Sequence, residues 1–393
     1  MPPRWRTPAT LLLALALLLP AFALPIPARA AGLVVTSLAD TSGDPTVRTL
    51  RDAIIAANTD AGVGACAAGA NTGTDTITFA AGLTGTITLG SNLPPIASAV
   101  AITGPGAASL TVDRNSLSGI AFAVNAGGSL DLAALTVRGA DNGLALDGNT
   151  ASATLTNATL SANVIGLAFD GGGTATLTNA TLSGNTFGLY FKNGGTATLI
   201  NATLSAKTIG LRFDGGGAAT LINTILAEGT TANCFGPVAV TDGGHNLADD
   251  NSCFFGGGLG GSRVVDHGAT GLDPNGLQDN GGPTKTIALL PTSPALDAVD
   301  PAACPAADQR GVPRPQGAGC DVGAFERLAA PTLAAIQPMS VGAGSGDTTL
   351  VLLGTGFTPP PSTAAASPPS MAPRWPPPIS RPPGSTPPSP PPR

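Results

Sequence analysis

Residues 153–174, ATLTNATLSANVIGLAFDGGGT, decide the fold, because the chain repeats them three more times. Four near-copies of one 22-residue unit begin at Ala153, Ala175, Ala197 and Ala219. The later copies read ATLTNATLSGNTFGLYFKNGGT, ATLINATLSAKTIGLRFDGGGA and ATLINTILAEGTTANCFGPVAV. Within a copy the apolar residues alternate instead of recurring at helical spacing. Leu155 and Leu160 mark two short strands; Ile165, Leu167 and Phe169 point one way, with Gly166 and Ala168 between them. Alternation in short runs bounded by Gly and Asn predicts strands and turns. One unit has too few inward side chains to bury a core, so it must stack on its neighbours. The expected fold is all-β: a single-stranded parallel β-helix whose coils advance by about 4.8 Å.

Stacking places equivalent residues above one another. Asn157, Asn179, Asn201 and Asn223 form one column at a bend, where amides can hydrogen-bond along the stack. Their Asn-Ala-Thr sequons at the first three positions are expected to hold inward amides, not glycans. Beside the Gly-rich turn runs Asp170, Lys192, Asp214, an alternation of sign that avoids like-charge repulsion. The adjacent column is Ala168, Tyr190, Arg212, and Tyr190 is the only tyrosine. One aromatic platform among mixed charges suits a carbohydrate-binding strip; the plainer reading is a solvated turn ladder that only supports stacking. Two carboxylates and a cation can also perform acid/base work. Asp170 and Asp214, however, would lie on the order of 10 Å apart, too far for a retaining pair and near the limit for an inverting one. No catalytic residue is assigned. Thr174, Thr176, Thr178, Thr196 and Thr198 resemble the flat threonine arrays of ice-binding β-helices, but the array fails at Ile200, Ala218 and Ile222.

Only 11% of residues are charged and 53 are glycine, against about 25% charged in an ordinary domain. Slim coils and many tight turns fit that composition. The net charge of −6, without a Lys/Arg cluster, argues against nucleic acid. Residues 1–30 are expected to be a secretory signal: Arg4 and Arg6, an apolar run from Leu11 to Leu19, and Ala28-Arg29-Ala30 for cleavage. The run is too short for a membrane anchor, and no other stretch approaches 18 apolar residues. Export makes disulfides plausible. Cys234 and Cys253 bracket one loop, Cys304 and Cys320 another, and Cys66 is left over. No zinc signature or cofactor motif is present. His245 and His267 would form a metal site only if Asp266 and Asp273 folded onto them, so no metal is assigned. Asp-Gly pairs recur at Asp170, Asp214 and Asp242, without the calcium-binding nonapeptide.

Upstream, Leu33, Val34, Val35 and Thr36 predict a first strand. Thr49 to Asp52 looks like a capping box, with Leu50, Ala53, Ile54 and Ala57 on one helix face. Such a helix would cover the open end of the core and its strand edges. Dividing 33–260 by the period predicts about eight to ten coils. Downstream, Thr284–Leu289 and Gly323–Glu326 read as short strands flanking a rigid, disulfide-closed loop.

These flanks carry a family resemblance. Residues 49–58, TLRDAIIAAN, resemble the C-S-L-R-E-A-I motif of secreted bacterial β-helix proteins, with Arg48 where the cysteine would fall. Residues 279–326 are similar to the choice-of-anchor Q segment: DNGGPT, LLPTSPALD, DQRG, PRP and GAFE stand in order. The resemblance covers about residues 33–326 and implies a right-handed, pectin lyase-like β-helix on an exported, often surface-displayed protein, with no catalytic residues to carry over. Residues 331–357 resemble the first two strands of a TIG immunoglobulin-like module. Residues 358–393 become almost wholly Pro, Ser, Ala, Thr and Arg, a disordered tail. Two origins stand open for that tail: a reading-frame shift near Thr358, or a genuine Pro-rich linker.

The expected organisation is therefore signal 1–30, β-helix with cap 31–275, anchor-like segment 276–326, partial TIG-like module 331–357 and tail 358–393. The function expected is a non-enzymatic, secreted or surface scaffold of adhesin-like or glycan-binding type. The alternative is a polysaccharide-active lyase or hydrolase on the same fold.

Overall fold

The computed structural model describes residues 32–105, 110–206, 208–237, 239–255, 259–300, 303–329, 332–340 and 349–355. The expected signal segment 1–30 and the Pro-rich tail lie outside them. The chain divides into Met1–Ala329 and Ala330–Arg393.

The first unit is a parallel β-helix with three sheets of nine, nine and six strands, in line with the coil number the period predicts. One coil contributes Ser152–Thr156 to the first sheet, Thr159–Ser161 to the second and Ile165–Phe169 to the third. The next repeats this with Thr174–Thr178, Thr181–Ser183 and Phe187–Phe191, and all pairing between coils is parallel and in register. Leu155, Leu177, Leu199 and Leu221 are successive partners, each fully buried. Phe169, Phe191 and Phe213 stack with ring centroids 4.5 and 4.6 Å apart and planes within 6°. The hydrophobic interior is thus a set of continuous lines, each residue packing on its own counterpart.

Ile165 departs from the expected alternation. It packs outside with Ala145 and Ala168, while Leu167 and Phe169 join the interior. Next to it lies Gly166, where a Cβ would meet Gly188 O at 2.6 Å. Backbones approach so closely there that only glycine fits beside Ile165.

The helix Leu50–Thr59 begins at Thr49, whose side chain accepts from Asp52 N at 3.1 Å. Leu50, Ala53, Ile54, Ala56 and Ala57 are buried in the same cluster as Leu33, Val35 and Ile77, so the helix covers the end of the core. Only half of a capping box forms. The buried Asp52 carboxylate accepts from Ser42 Oγ at 2.7 Å and Gly43 N at 3.1 Å, fixing the loop that leads into the helix.

Past Cys234 the stack continues through Val240–Asp242, Leu247–Ala248 and Arg263–Val264. The segment that follows then folds back along the outside of the second sheet. Thr286–Leu289 pairs antiparallel with Leu272–Gln278, whereas Gly323–Glu326, expected to be a strand, is not one. Ala324 N instead donates to Thr203 Oγ1 at 3.0 Å, and Gln309 N to Ala324 O at 3.0 Å. The docking also explains a change in the repeat: the outer column Thr159, Thr181, Thr203 becomes Ile225 and then Leu247. Ile225 and Leu247 pack with Ile287, Leu289, Val299 and Phe325 in a second apolar cluster outside the coils.

In the second unit Thr332–Gln337 and Val351–Thr355 pair as an antiparallel hairpin. Leu333, Ile336, Leu350, Val351, Leu352 and Leu353 are exposed on it.

Candidate functional site: the outer face of the third sheet

On the third sheet the parallel register sets Ala145, Ala168, Tyr190, Arg212 and Phe235 in one outward column. Phe187 pairs with Ile165 one coil back, and its ring lies 5.4 Å from that of Tyr190, tilted by 54°. The Arg212 guanidinium sits 4.9 Å from the Tyr190 ring centroid and 5.0 Å from that of Phe187, within cation–π range. Lys192 Nζ approaches the tyrosine ring to 5.4 Å.

Both acids of the column are neutralised. Lys192 pairs with Asp170 at 2.7 Å and Arg212 with Asp214 at 2.8 Å, while the Tyr190 hydroxyl donates to Asp214 Oδ2. Arg212, and then Tyr190, hold the Asp214 carboxyl below its ordinary value. The same bond raises the Tyr190 phenol. One coil earlier, burial and then the Asp170 charge push the Asp147 carboxyl up, partly offset by Lys192. The turns beside this face, residues 170–173, 192–195 and 214–217, are short and Gly-rich. They raise no wall, so the face is an open, mixed aromatic and charged strip.

The asparagine column at the first bend has a different basis from a continuous amide ladder. Asn157, Asn179, Asn201 and Asn223 all adopt left-handed backbone, φ 50–52°, a conformation Asn tolerates better than other side-chain-bearing residues. Only one amide link joins them, Asn223 Nδ2 to Asn201 Oδ1 at 3.1 Å. Asn179 and Asn223 also donate outward to Ala307 O at 3.0 Å and Ala303 O at 3.2 Å, because the C-terminal segment lies against this bend. A ladder the sequence reading missed lies at the next bend. Asn185 Oδ1 accepts from Asn163 N at 2.9 Å and Asn163 Nδ2 at 3.1 Å. The signal was an Asn ten residues into both the first and second copies.

Also missed was the polar clasp of the C-terminal segment. Buried Gln309 accepts from Thr181 Oγ1 at 2.6 Å and donates to Thr159 Oγ1 at 2.9 Å and Thr284 Oγ1 at 2.7 Å. Arg310 pairs with Asp308 at 2.7 Å and lies 3.7 Å from the Phe325 ring centroid. Arg314 pairs with Glu326 at 3.1 Å and donates to Asp321 O at 2.6 Å and Gly323 O at 2.7 Å. Burial raises the Glu326 and Asp321 carboxyls and lowers Arg314. The motif residues of 308–326 thus converge in one structural knot.

Cys234–Cys253 and Cys304–Cys320 are disulfide-bonded, and Cys66 is a buried free thiol. His245 Nδ1 lies 3.0 Å from Ala298 O, and His267 pairs with Asp249 at 3.2 Å rather than with Asp266 or Asp273. Among the described residues no cluster of three or more metal-ligating side chains occurs. Neither protein-family models nor curated proteins match the chain.

Proposed function

We propose that the protein is a non-enzymatic, exported scaffold whose third-sheet face binds glycan. The reading is carried by the open strip in which Tyr190 and Phe187 flank Arg212. Sugars stack their apolar ring faces on such aromatics and hydrogen-bond through their hydroxyls to adjacent charged groups. The strip is held rigid by its own ion pairs, which limits the ordering cost of binding.

Export is supported by the signal-like residues 1–30 and by the two disulfides. No helix among the described residues is long and apolar enough to cross a membrane. The resemblance of 49–58 and 279–326 to secreted β-helix proteins, and of 331–357 to a TIG-like module, favours a place at the cell surface. Lyase or hydrolase chemistry has one observation in its favour, the raised carboxyl of Asp147 beside Asp170. Against it, Asp170 and Asp214 are each tied to a cation, and no loop walls a cleft around them.

Binding of the full chain to a glycan array, repeated with Tyr190→Ala, tests the reading. Retained array binding by a folded Tyr190→Ala protein would remove the face from consideration. Turnover of a bound polysaccharide, abolished by Asp147→Asn, would replace the scaffold reading with the enzymatic one.

A further inference from the structure

A groove lies on a different sheet from the Tyr190 strip. The outer threonine column of the second sheet runs without a break through Thr86, Thr111, Thr136, Thr159, Thr181 and Thr203. Its last three members are covered: Thr159 Oγ1 donates to Lys285 O at 2.8 Å, Thr181 to Gln309, and Thr203 accepts from Ala324 N. The first three are not. Among the described residues their hydroxyls have no hydrogen-bond partner, and with Arg138, Ser161, Leu277 and Lys285 they line a groove of about 290 Å³.

The charges around the groove favour an anion. Arg138 lines it, pairing with Asp113 at 2.7 Å while its side chain stays 53% exposed. Asp113 accepts from Arg138 Nε at 2.8 Å through Oδ2 and from Asn115 N at 2.7 Å through Oδ1, so the Arg138 charge is already matched. Lys285 is exposed and, among the described residues, has no ion pair. Its backbone carbonyl is anchored by Thr159, so its position in the groove lining is set by the fold. A free cation on a chain of net charge −6 is a local exception to the repulsion the whole molecule exerts on anions.

The covered half of the column shows what the open half can do. There, hydroxyls repeating at about one strand spacing, ~4.8 Å, bind a chain that offers carbonyl and amide groups laid along the stack. We propose that the open half binds a stretch of anionic glycan, whose hydroxyls meet Thr86, Thr111 and Thr136 and whose carboxylate or sulfate groups meet Lys285. A sugar ring is of the same length scale as the rung spacing, so successive rings can address successive threonines. The groove is on a different sheet from Tyr190, and the inference does not rest on the function proposed for that face.

The test is binding of the full chain to immobilised hyaluronate, dextran sulfate and uncharged dextran, at low and raised salt. The expected result is binding to one or both polyanions and not to dextran, weakened by salt. Lys285→Glu should weaken it at least tenfold, and the near-isosteric Thr136→Val several-fold, with circular dichroism unchanged. Carboxylate and sulfate sources are separated by whichever polyanion is retained. Tyr190→Ala should leave this binding intact. Equal binding to dextran, insensitivity to Lys285→Glu, loss on Tyr190→Ala alone, or no binding to either polyanion would each overturn the proposal.

Discussion

In the repeat coils nearly every residue touches its own counterpart one rung away, whereas in residues 272–326 no residue has a counterpart. The coils bury leucine on leucine and phenylalanine on phenylalanine, so their stability is a sum of similar neighbour terms. The C-terminal segment is held by single residues with many bonds: Gln309 across two coils, Arg314 among three groups, and one disulfide. Repetition spreads the loss of any one contact; a clasp concentrates it. The threonine column joins the two regions, since the same hydroxyls face solvent in one half and the clasp in the other.

The largest effect is expected inside the stack. Phe191→Ala leaves a cavity between Phe169 and Phe213 and should cost about 3–5 kcal/mol in denaturant unfolding. If the loss were instead confined to the mutated rung, with the flanking coils unaffected in hydrogen exchange, the cooperative picture of the coils would break.

Gln309→Ala leaves Thr159, Thr181 and Thr284 without their shared partner and should cost about 1–3 kcal/mol. The loss should appear as faster exchange or proteolysis across 280–326, while amides of 153–205 stay protected. Equal loosening of both regions would erase the distinction drawn between them.

Asn201→Ala should cost about 1–2 kcal/mol, the penalty of a side-chain-bearing residue in left-handed backbone, whereas Asn201→Gly should recover most of it in thermal unfolding. A similar loss for both variants would mean that the amide, not the backbone, is what the column contributes.

pH separates the regions further. Burial raises the folded-state Glu326 and Asp321 carboxyls above their unfolded values. Their contribution is therefore complete below the ordinary carboxylate range and is lost as pH rises through the raised values. The clasp should be tighter near pH 4 than near pH 7 by exchange across 308–326, and Glu326→Gln should flatten the dependence. The coils around 175–205, without buried acids, provide the control.

The smallest effect is spectroscopic. Tyr190 is the only tyrosine, so its ultraviolet titration reports one site. Its ionisation should lie above the ordinary phenol value because Asp214 accepts its proton, and should fall back in Asp214→Asn. An unshifted midpoint in the parent protein would undo the bond on which the strip's rigidity rests.

The period of the repeat determined the parallel stack, its register and the inward leucine and phenylalanine lines, because identical units one coil apart can satisfy their backbones and bury their faces only by lying on each other. The same register put Tyr190, Lys192, Arg212, Asp170 and Asp214 on one face. Their actual pairing was not legible there: Phe187 packs outside with Tyr190, Ile165 and Ala168 and not in the interior line, a placement that alternation alone does not reveal. Nor was the clasp. Where residues 272–326 lie, which threonines they cover and which they leave open depend on contacts more than a hundred residues apart in sequence. Such contacts have no periodic signature, so only the tertiary structure could decide them.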